Sequence, residues 1–213
     1  MGIVDRLDMK NKCGGRARLR STFLHVVAIA AVASISWAGV PASAQVTDFK
    51  LDPSKSTVKF TLDASLHSVH GTFQLKASAL QWKPASGQVS GQILVDAKSG
   101  TTGNSMRDRK MHKDVLESEQ YPDIQFVPDH ITGGVAPSGK SSVRVHGIFR
   151  IHGVDREIEV PAAVEMTADS WSATIRFTVP YAKWGMKNPS NLFLHVSDSV
   201  EIDLDAAGSL SSH

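Results

Sequence analysis

The feature that most restricts the fold of this chain is a two-residue alternation of apolar and polar side chains. In residues 57–63, the apolar side chains of Val58, Phe60 and Leu62 alternate with polar ones. The same alternation recurs in residues 67–76, 143–151, 171–179 and 200–205. Because successive side chains of a β-strand point to opposite faces, this period indicates strands with one apolar and one solvated face. The sequence therefore predicts an all-β antiparallel domain.

One segment breaks the alternation and predicts a short helix at about residues 105–117. Ser105 followed three residues later by Asp108 resembles a helix capping box. Met111 and Val115 lie four residues apart, which places them on one face of a helix. The apolar stripe is narrow, so we expect a surface helix that lies across the end of the sheet.

Residues 134–141, GVAPSGKS, fit the G-x-x-x-x-G-K-[ST] pattern of phosphate-binding loops. Such a loop requires a helix after it, because the helix N-terminus helps to hold the phosphate. Here the motif leads directly into the alternating segment 143–151. We therefore predict a hairpin loop in which Lys140 has no ligand, and we expect no nucleotide partner.

The N-terminal segment has the features of an export signal. A basic leader precedes an apolar run, and the run ends at the small-x-small sequence Ala42–Ala44. We predict a cleavable signal peptide at residues 1–44 and a periplasmic or secreted domain at residues 45–213. An uncleaved membrane anchor is the alternative.

Removing residues 1–44 changes the charge of the chain. That segment holds 6 of the 23 Lys and Arg residues and 2 of the 21 Asp and Glu residues, which leaves 17 and 19 in the domain. The domain is thus slightly acidic, and we expect no nucleic-acid partner. The single cysteine, Cys13, lies in the leader, so the stability of the domain must come from its core rather than from a disulfide.

The histidines do not form a recognisable metal motif. His67 and His70 are three residues apart and face opposite sides of a regular strand. His146 and His152 lie on the face opposite Phe149, which predicts surface positions. Pairing of histidines across strands stays open, but we predict no metal site and no cofactor. Nucleophile-elbow, zincin and C-x-x-C motifs are absent from the sequence, so we predict that the protein is not an enzyme.

Several passages resemble the YceI-like family of exported polyisoprenoid-binding proteins. The passage from Arg107-Asp108 through Met111 to Tyr121-Pro122-Asp123-Ile124-Gln125-Phe126 is similar to the helix-to-strand passage of that family. Further similar passages are residues 67–73, 145–161, 181–190 and 196–208. The resemblance covers about residues 49–208. It implies a single eight-stranded, antiparallel, lipocalin-like barrel around an elongated apolar tunnel.

The resemblance also implies the ligand, an isoprenoid lipid or an isoprenoid quinone that the protein carries or stores. It leaves transient membrane contact open. The alternation alone leaves open whether the barrel is hollow or filled by its own side chains. A structural or stress-response barrel with a filled core, and an enzyme acting on a small apolar substrate, are the alternatives. The residues expected to contact the ligand are Phe60, Leu62, His67, Phe73, Met111, Phe126, Phe149, Phe177 and Trp184.

Overall fold

The computed structural model describes residues 45–192 and 195–212, and the predicted signal peptide lies outside them. No helix within these ranges is long and apolar enough to cross a membrane. Ten antiparallel strands form one sheet. They are β1 (Thr47–Leu51), β2 (Thr57–Leu62), β3 (Val69–Leu75), β4 (Ala79–Lys83), β5 (Gln88–Thr101), β6 (Asp123–Thr132), β7 (Gly139–Ile151), β8 (Val154–Met166), β9 (Ser170–Val179) and β10 (Val200–Ser212).

The sheet closes into a barrel that can be divided into two halves along its axis. Two long strands, β5 and β10, belong to both halves. One part of β10 pairs with β2, and its C-terminal part pairs with β1. Likewise β5 pairs with β3 in one half and with β4 in the other. On the opposite side, β6 to β9 link β5 to β10. The six strands β5 to β10 are common to both halves, and β2 with β3 completes one half as β1 with β4 completes the other. Each half therefore has eight strands, which confirms the predicted eight-stranded barrel.

The half built with β1 and β4, here called the filled half, is packed with side chains. The Trp171 ring lies 5.4 Å from that of Phe49, which in turn lies 6.1 Å from Trp82. Leu51 and Ala206 are buried in the same cluster. These large rings occupy the space between the strands and close this half of the barrel.

The half built with β2 and β3, here called the hollow half, is covered by a helical segment. It consists of α1 (Ser105–Lys110) followed by a π-helical turn, Met111–Val115. The predicted helix is confirmed, with its end two residues earlier than expected. It leaves β5 and returns to β6 across the end of the ring.

The predicted capping box is wrong. The residue that caps α1 is Asn104, whose side-chain oxygen accepts hydrogen bonds from the backbone N–H groups of Met106 and Arg107, both at 3.1 Å. Asp108 instead accepts a hydrogen bond from the Thr102 backbone N–H at 2.8 Å. Asp108 therefore fixes the helical segment to the end of β5 and does not reach back toward Ser105.

The GVAPSGKS segment forms the predicted hairpin. Gly139 opens β7, and Lys140 and Ser141 are already strand residues. The Ser141 hydroxyl accepts a hydrogen bond from the Ala136 N–H at 2.9 Å and so closes the loop on itself. Since a strand rather than a helix follows the glycine, the loop has no helix N-terminus of the kind that holds a phosphate.

The solvated face of the barrel carries the charged residues that the alternation placed there. Arg144 pairs with Glu159 at 2.8 Å, across β7 and β8. His146 lies between Asp129 at 2.7 Å and Glu157 at 2.9 Å, and these two carboxylates raise its pKa. Ion pairs this exposed contribute little to stability, but their positions identify the solvent-exposed face of the sheet.

Candidate ligand-binding cavity

A cavity of about 530 Å³ occupies the hollow half of the barrel. Its wall is built mainly from the inward face of the strands, and most of the side chains that line it are apolar. A volume of this size lies within the range of typical small-molecule sites. The hollow half can therefore hold a slender apolar molecule.

Eight of the nine residues predicted to contact a ligand lie in the wall of this cavity. They are Phe60, Leu62, His67, Phe73, Met111, Phe126, Phe149 and Phe177. Trp184 does not line it. The Trp184 ring packs beside Phe149, with ring centroids 5.9 Å apart, and supports the wall from behind. Contact of any of these residues with a ligand remains a prediction.

Two glycines help to keep the cavity open. Gly71 is the cross-strand partner of Phe60, and a Cβ on Gly71 would overlap the Phe60 ring. A Cβ on Gly100 would overlap the Phe73 ring and would come within 3.0 Å of Met111 Cε. Because these side chains are absent, both rings can lie along the wall instead of projecting into the lumen. Sequence reasoning missed both glycines, since their role depends on strand register.

The cavity meets solvent at a mouth beside α1. The lining residues there are exposed or half-buried and polar, and they are His67, Thr102, Asn104, Arg107, Lys110 and Asn191. Arg107 Nε donates to the Thr102 hydroxyl at 2.8 Å, and Lys110 Nζ donates to the Pro189 carbonyl at 3.0 Å. No carboxylate is among the described lining residues. The electrostatic character of the mouth is therefore neutral to cationic.

The connection from β9 to β10 forms one side of the mouth and is held by buried polar contacts. The Tyr181 hydroxyl donates to the Ser197 carbonyl at 2.6 Å, and burial followed by the nearby Asp198 raises its pKa to about 12. Tyr181 thus stays a hydrogen-bond donor at any physiological pH. An isolated bridge between Ala64 and Val196 joins this connection to the loop after β2.

His112 attaches the π-helical turn to the barrel. Its Nε2 lies 2.8 Å from the Gly100 carbonyl, which can only accept, so Nε2 carries the proton. Its Nδ1 lies 3.0 Å from the hydroxyl of buried Ser118 and accepts from it when the ring is neutral. His112 therefore has a structural position, and His67 is the histidine at the rim of the cavity.

A closed antiparallel barrel with one hollow, apolar half is the architecture of a lipocalin-like binding protein. The match of residues 49–207 to the YceI-like domain gives the family: this chain belongs to the YceI-like family. No protein with a curated description matches the chain.

Solved structures share the fold at low sequence identity. BcnA of Burkholderia cenocepacia is 19% identical with a TM-score of 0.62, over 74% of this chain and 99% of BcnA. A polyisoprenoid binding domain from Saccharophagus degradans, implicated in plant cell wall breakdown, is 20% identical with a TM-score of 0.61, over 76% and 97%. The YceI protein of Campylobacter jejuni is 16% identical with a TM-score of 0.54, over 66% and 84%.

Proposed function

We propose that this protein binds a long isoprenoid-type lipid in the cavity of its hollow half and carries or stores it. The observation that carries the proposal is a cavity of about 530 Å³ with an apolar wall and an open mouth. Membership of the YceI-like family and the polyisoprenoid binding described for the Saccharophagus domain support it.

The wall determines what kind of ligand is favoured. Inward residues such as Phe73, Phe126 and Phe177 are only half-buried, so the ligand-free cavity leaves apolar surface uncovered. Covering that surface stabilises a complex by about 25 cal/mol per Å². A hydrocarbon chain gains from this term along its whole length, and a polar ligand would lose its hydration without partners.

The mouth suggests the position of the polar end of the ligand. The side chains of His67, Arg107 and Lys110 border it and can supply hydrogen-bond donors. The carbonyl oxygens of a quinone accept such hydrogen bonds. An isoprenoid quinone, with its tail inside and its head group at the mouth, is therefore the specific ligand that we propose.

We propose that the protein acts after export, once residues 1–44 have been removed. The basic leader, the apolar run and the Ala42–Ala44 sequence support this. Expression of the whole chain in a bacterium, fractionation, and mass spectrometry of the periplasmic product test it. An uncleaved product in the membrane fraction would contradict it.

Binding without catalysis is the proposed activity. The cavity wall is hydrocarbon, and its described titratable side chains, His67, Arg107, Lys110 and Tyr181, lie in the exposed mouth or are held in hydrogen bonds. Such a wall suits holding a molecule better than transferring protons to it.

Extraction of the protein from its native host, followed by mass spectrometry, tests the proposed ligand. We expect about one long-chain lipid per chain in the wild type. Ile202→Trp places a large ring on the inward face, and Thr178→Trp places the same ring on the outward face one strand away. Ile202→Trp should lower the lipid content at least about tenfold, and Thr178→Trp should not. Equal lipid content in both variants, or none in the wild type, would reject the proposal.

A further inference from the structure

Large exposed apolar side chains are found at one end of the barrel. Leu66 is 79% exposed, Met106 is 76% exposed and Leu192 is 90% exposed. Val154, at 36%, follows the β7–β8 turn at the same end. Among the described residues, the turns at the other end carry no large apolar side chain of comparable exposure. Exposed apolar groups concentrated in this way mark an interaction surface.

The first three of these residues surround the mouth of the cavity. Met106 lines it, and so do the chain neighbours of the other two, His67 beside Leu66 and Asn191 beside Leu192. The three segments that carry them are joined to one another. Ser65 N donates to the His195 carbonyl at 2.9 Å, and Lys110 Nζ donates to the Pro189 carbonyl at 3.0 Å. Leu66, Met106 and Leu192 therefore form one apolar rim.

Unpaired positive charge lies beside this apolar rim. Arg109 and Lys113 are four residues apart in the helical segment, and both are exposed. Neither has a hydrogen-bond or ion-pair partner among the residues that the structure describes. The helical segment as a whole is cationic, since residues 105–115 hold four Lys or Arg residues against the two acids Asp108 and Asp114. Asp63, Asp108 and Asp198 also lie near the mouth and keep their charge, because they accept hydrogen bonds from the neutral groups of Ser68, Thr102 and Asn188.

We propose that the apolar rim docks on an anionic lipid bilayer, with the cavity mouth facing the membrane. Apolar side chains that enter the interface, together with basic side chains that meet anionic head groups, are the two elements of reversible membrane binding. Docking in this orientation lets an apolar ligand pass between bilayer and cavity without crossing water. Docking depends on surface residues and does not require that the cavity hold a ligand.

The test is co-sedimentation of the exported protein, its N-terminus verified by mass spectrometry, with vesicles. One set is phosphatidylcholine containing 30 mol% phosphatidylglycerol, and the other is phosphatidylcholine alone. We expect binding to the anionic vesicles, weakened as salt is raised from 0.1 M to 0.5 M because salt screens the basic side chains. The triple variant Leu66→Ser, Met106→Ser, Leu192→Ser should lower the partition coefficient at least about tenfold.

A matched pair of charge variants locates the surface. Arg109→Glu with Lys113→Glu should lower binding to anionic vesicles at least about fivefold. Lys83→Glu with Lys140→Glu makes the same change in net charge at the opposite end of the barrel, and it should leave binding within about twofold. Equal losses in the two pairs, or no loss in the triple rim variant, would overturn the proposal.

The same experiment separates docking from the proposed lipid binding. Extraction of each variant gives its lipid content independently of vesicle binding. A protein without bound lipid that still needs the apolar rim for vesicle binding would reject the proposed function and retain docking. A lipid-loaded protein that ignores both kinds of vesicle would overturn docking and point to a protein partner for the rim.

Discussion

The two halves of this barrel have the same strand count and opposite interiors. In the filled half, Trp171 and Phe49 pack ring against ring, and neither of them lines the cavity. In the hollow half, Phe60 and Phe73 lie along the wall, over strands that carry glycine. The comparison shows that strand number alone does not make a barrel hollow. Whether a half is hollow depends on whether a few aromatic rings project into the interior or lie along the wall. Glycines in neighbouring strands leave the space that lets the rings lie along the wall.

The largest effect should come from the filled half. Trp171→Ala removes a buried ring and leaves a void between β1 and β9, so the free energy of unfolding should fall by about 3–5 kcal/mol. Trp171→Phe is the control, because it keeps a ring and the indole Nε1 has no hydrogen-bond partner among the described residues. Urea unfolding followed by circular dichroism measures both. A loss below about 2 kcal/mol for Trp171→Ala would show that this half is not filled.

Two glycine substitutions compare the halves directly. An alanine Cβ at Gly208 would overlap the Lys50 backbone carbonyl, which can move only if β1 moves. At Gly100 the overlapping groups are the ends of the Phe73 and Met111 side chains, which can rotate into the cavity. We expect about 3 kcal/mol of destabilisation for Gly208→Ala and about 1 kcal/mol for Gly100→Ala.

Gly100→Ala should also reduce lipid content, since the displaced ring occupies the lumen. Chemical denaturation and lipid extraction on the same samples give both quantities. The reverse order of stability, or full lipid content in Gly100→Ala, would contradict this account of the glycines.

Phe177→Ala should have a smaller effect on stability and a specific effect on binding. In lipid-free protein the free energy of unfolding should fall by less than about 2 kcal/mol, because the half-buried ring already borders a cavity. The affinity for an isoprenoid should fall at least about tenfold, or 1.4 kcal/mol. Denaturation and a fluorescence titration measure the two. A loss of about 3–5 kcal/mol with unchanged affinity would indicate a filled hollow half.

The smallest effect on stability should come from replacing His146, which lies on the outer surface of the barrel. This substitution should not distinguish the two halves. Asp129 and Glu157 raise the pKa of His146, so its protonated form stabilises the fold. That contribution is complete below the ordinary histidine pKa and is lost as the pH rises through the raised value. The difference in Tm between wild type and His146→Gln should therefore be larger at pH 5.5 than at pH 8.5. Thermal scans at the two pH values test this, and a difference that grows toward pH 8.5 would contradict it.

The alternation predicted β2, β3, β7, β9 and the first part of β10, and with them the inward position of residues such as Phe149 and Phe177. It did not single out the other five strands. β1 and β4 are runs of five residues, which give too short a pattern to distinguish from a loop. β5, β6 and β8 are longer, but adjacent apolar residues such as Leu94-Val95 and Phe126-Val127, and Pro161 within β8, interrupt the period of two.

The predicted helix cap was also misplaced. Both Asn104 and Ser105 suit that position, and the choice depends on a tertiary contact of Asp108 with Thr102.

The cavity could not be predicted from alternation. A period of two gives the face of each residue, but the volume that remains depends on how cross-strand partners such as Phe60 and Gly71 meet. Trp184 illustrates the same point. Its place behind Phe149 depends on the turn after β9, where the Trp184 N–H donates to the Pro180 and Tyr181 carbonyls, at 3.2 and 3.1 Å.

The pairing of β1 with the last residues of β10 has a consequence for how the chain folds. Phe49 lies opposite Leu210, so contacts that close the filled half join the two ends of the domain. Closing so long a loop is entropically slow, and it cannot begin until residues 208–212 have been synthesised. The nascent chain therefore stays open through nearly all of translation. A chain that ends before Gly208 should keep the pairing of β1 with β4 but leave the other side of β1 unpaired, and it should be a target for proteases.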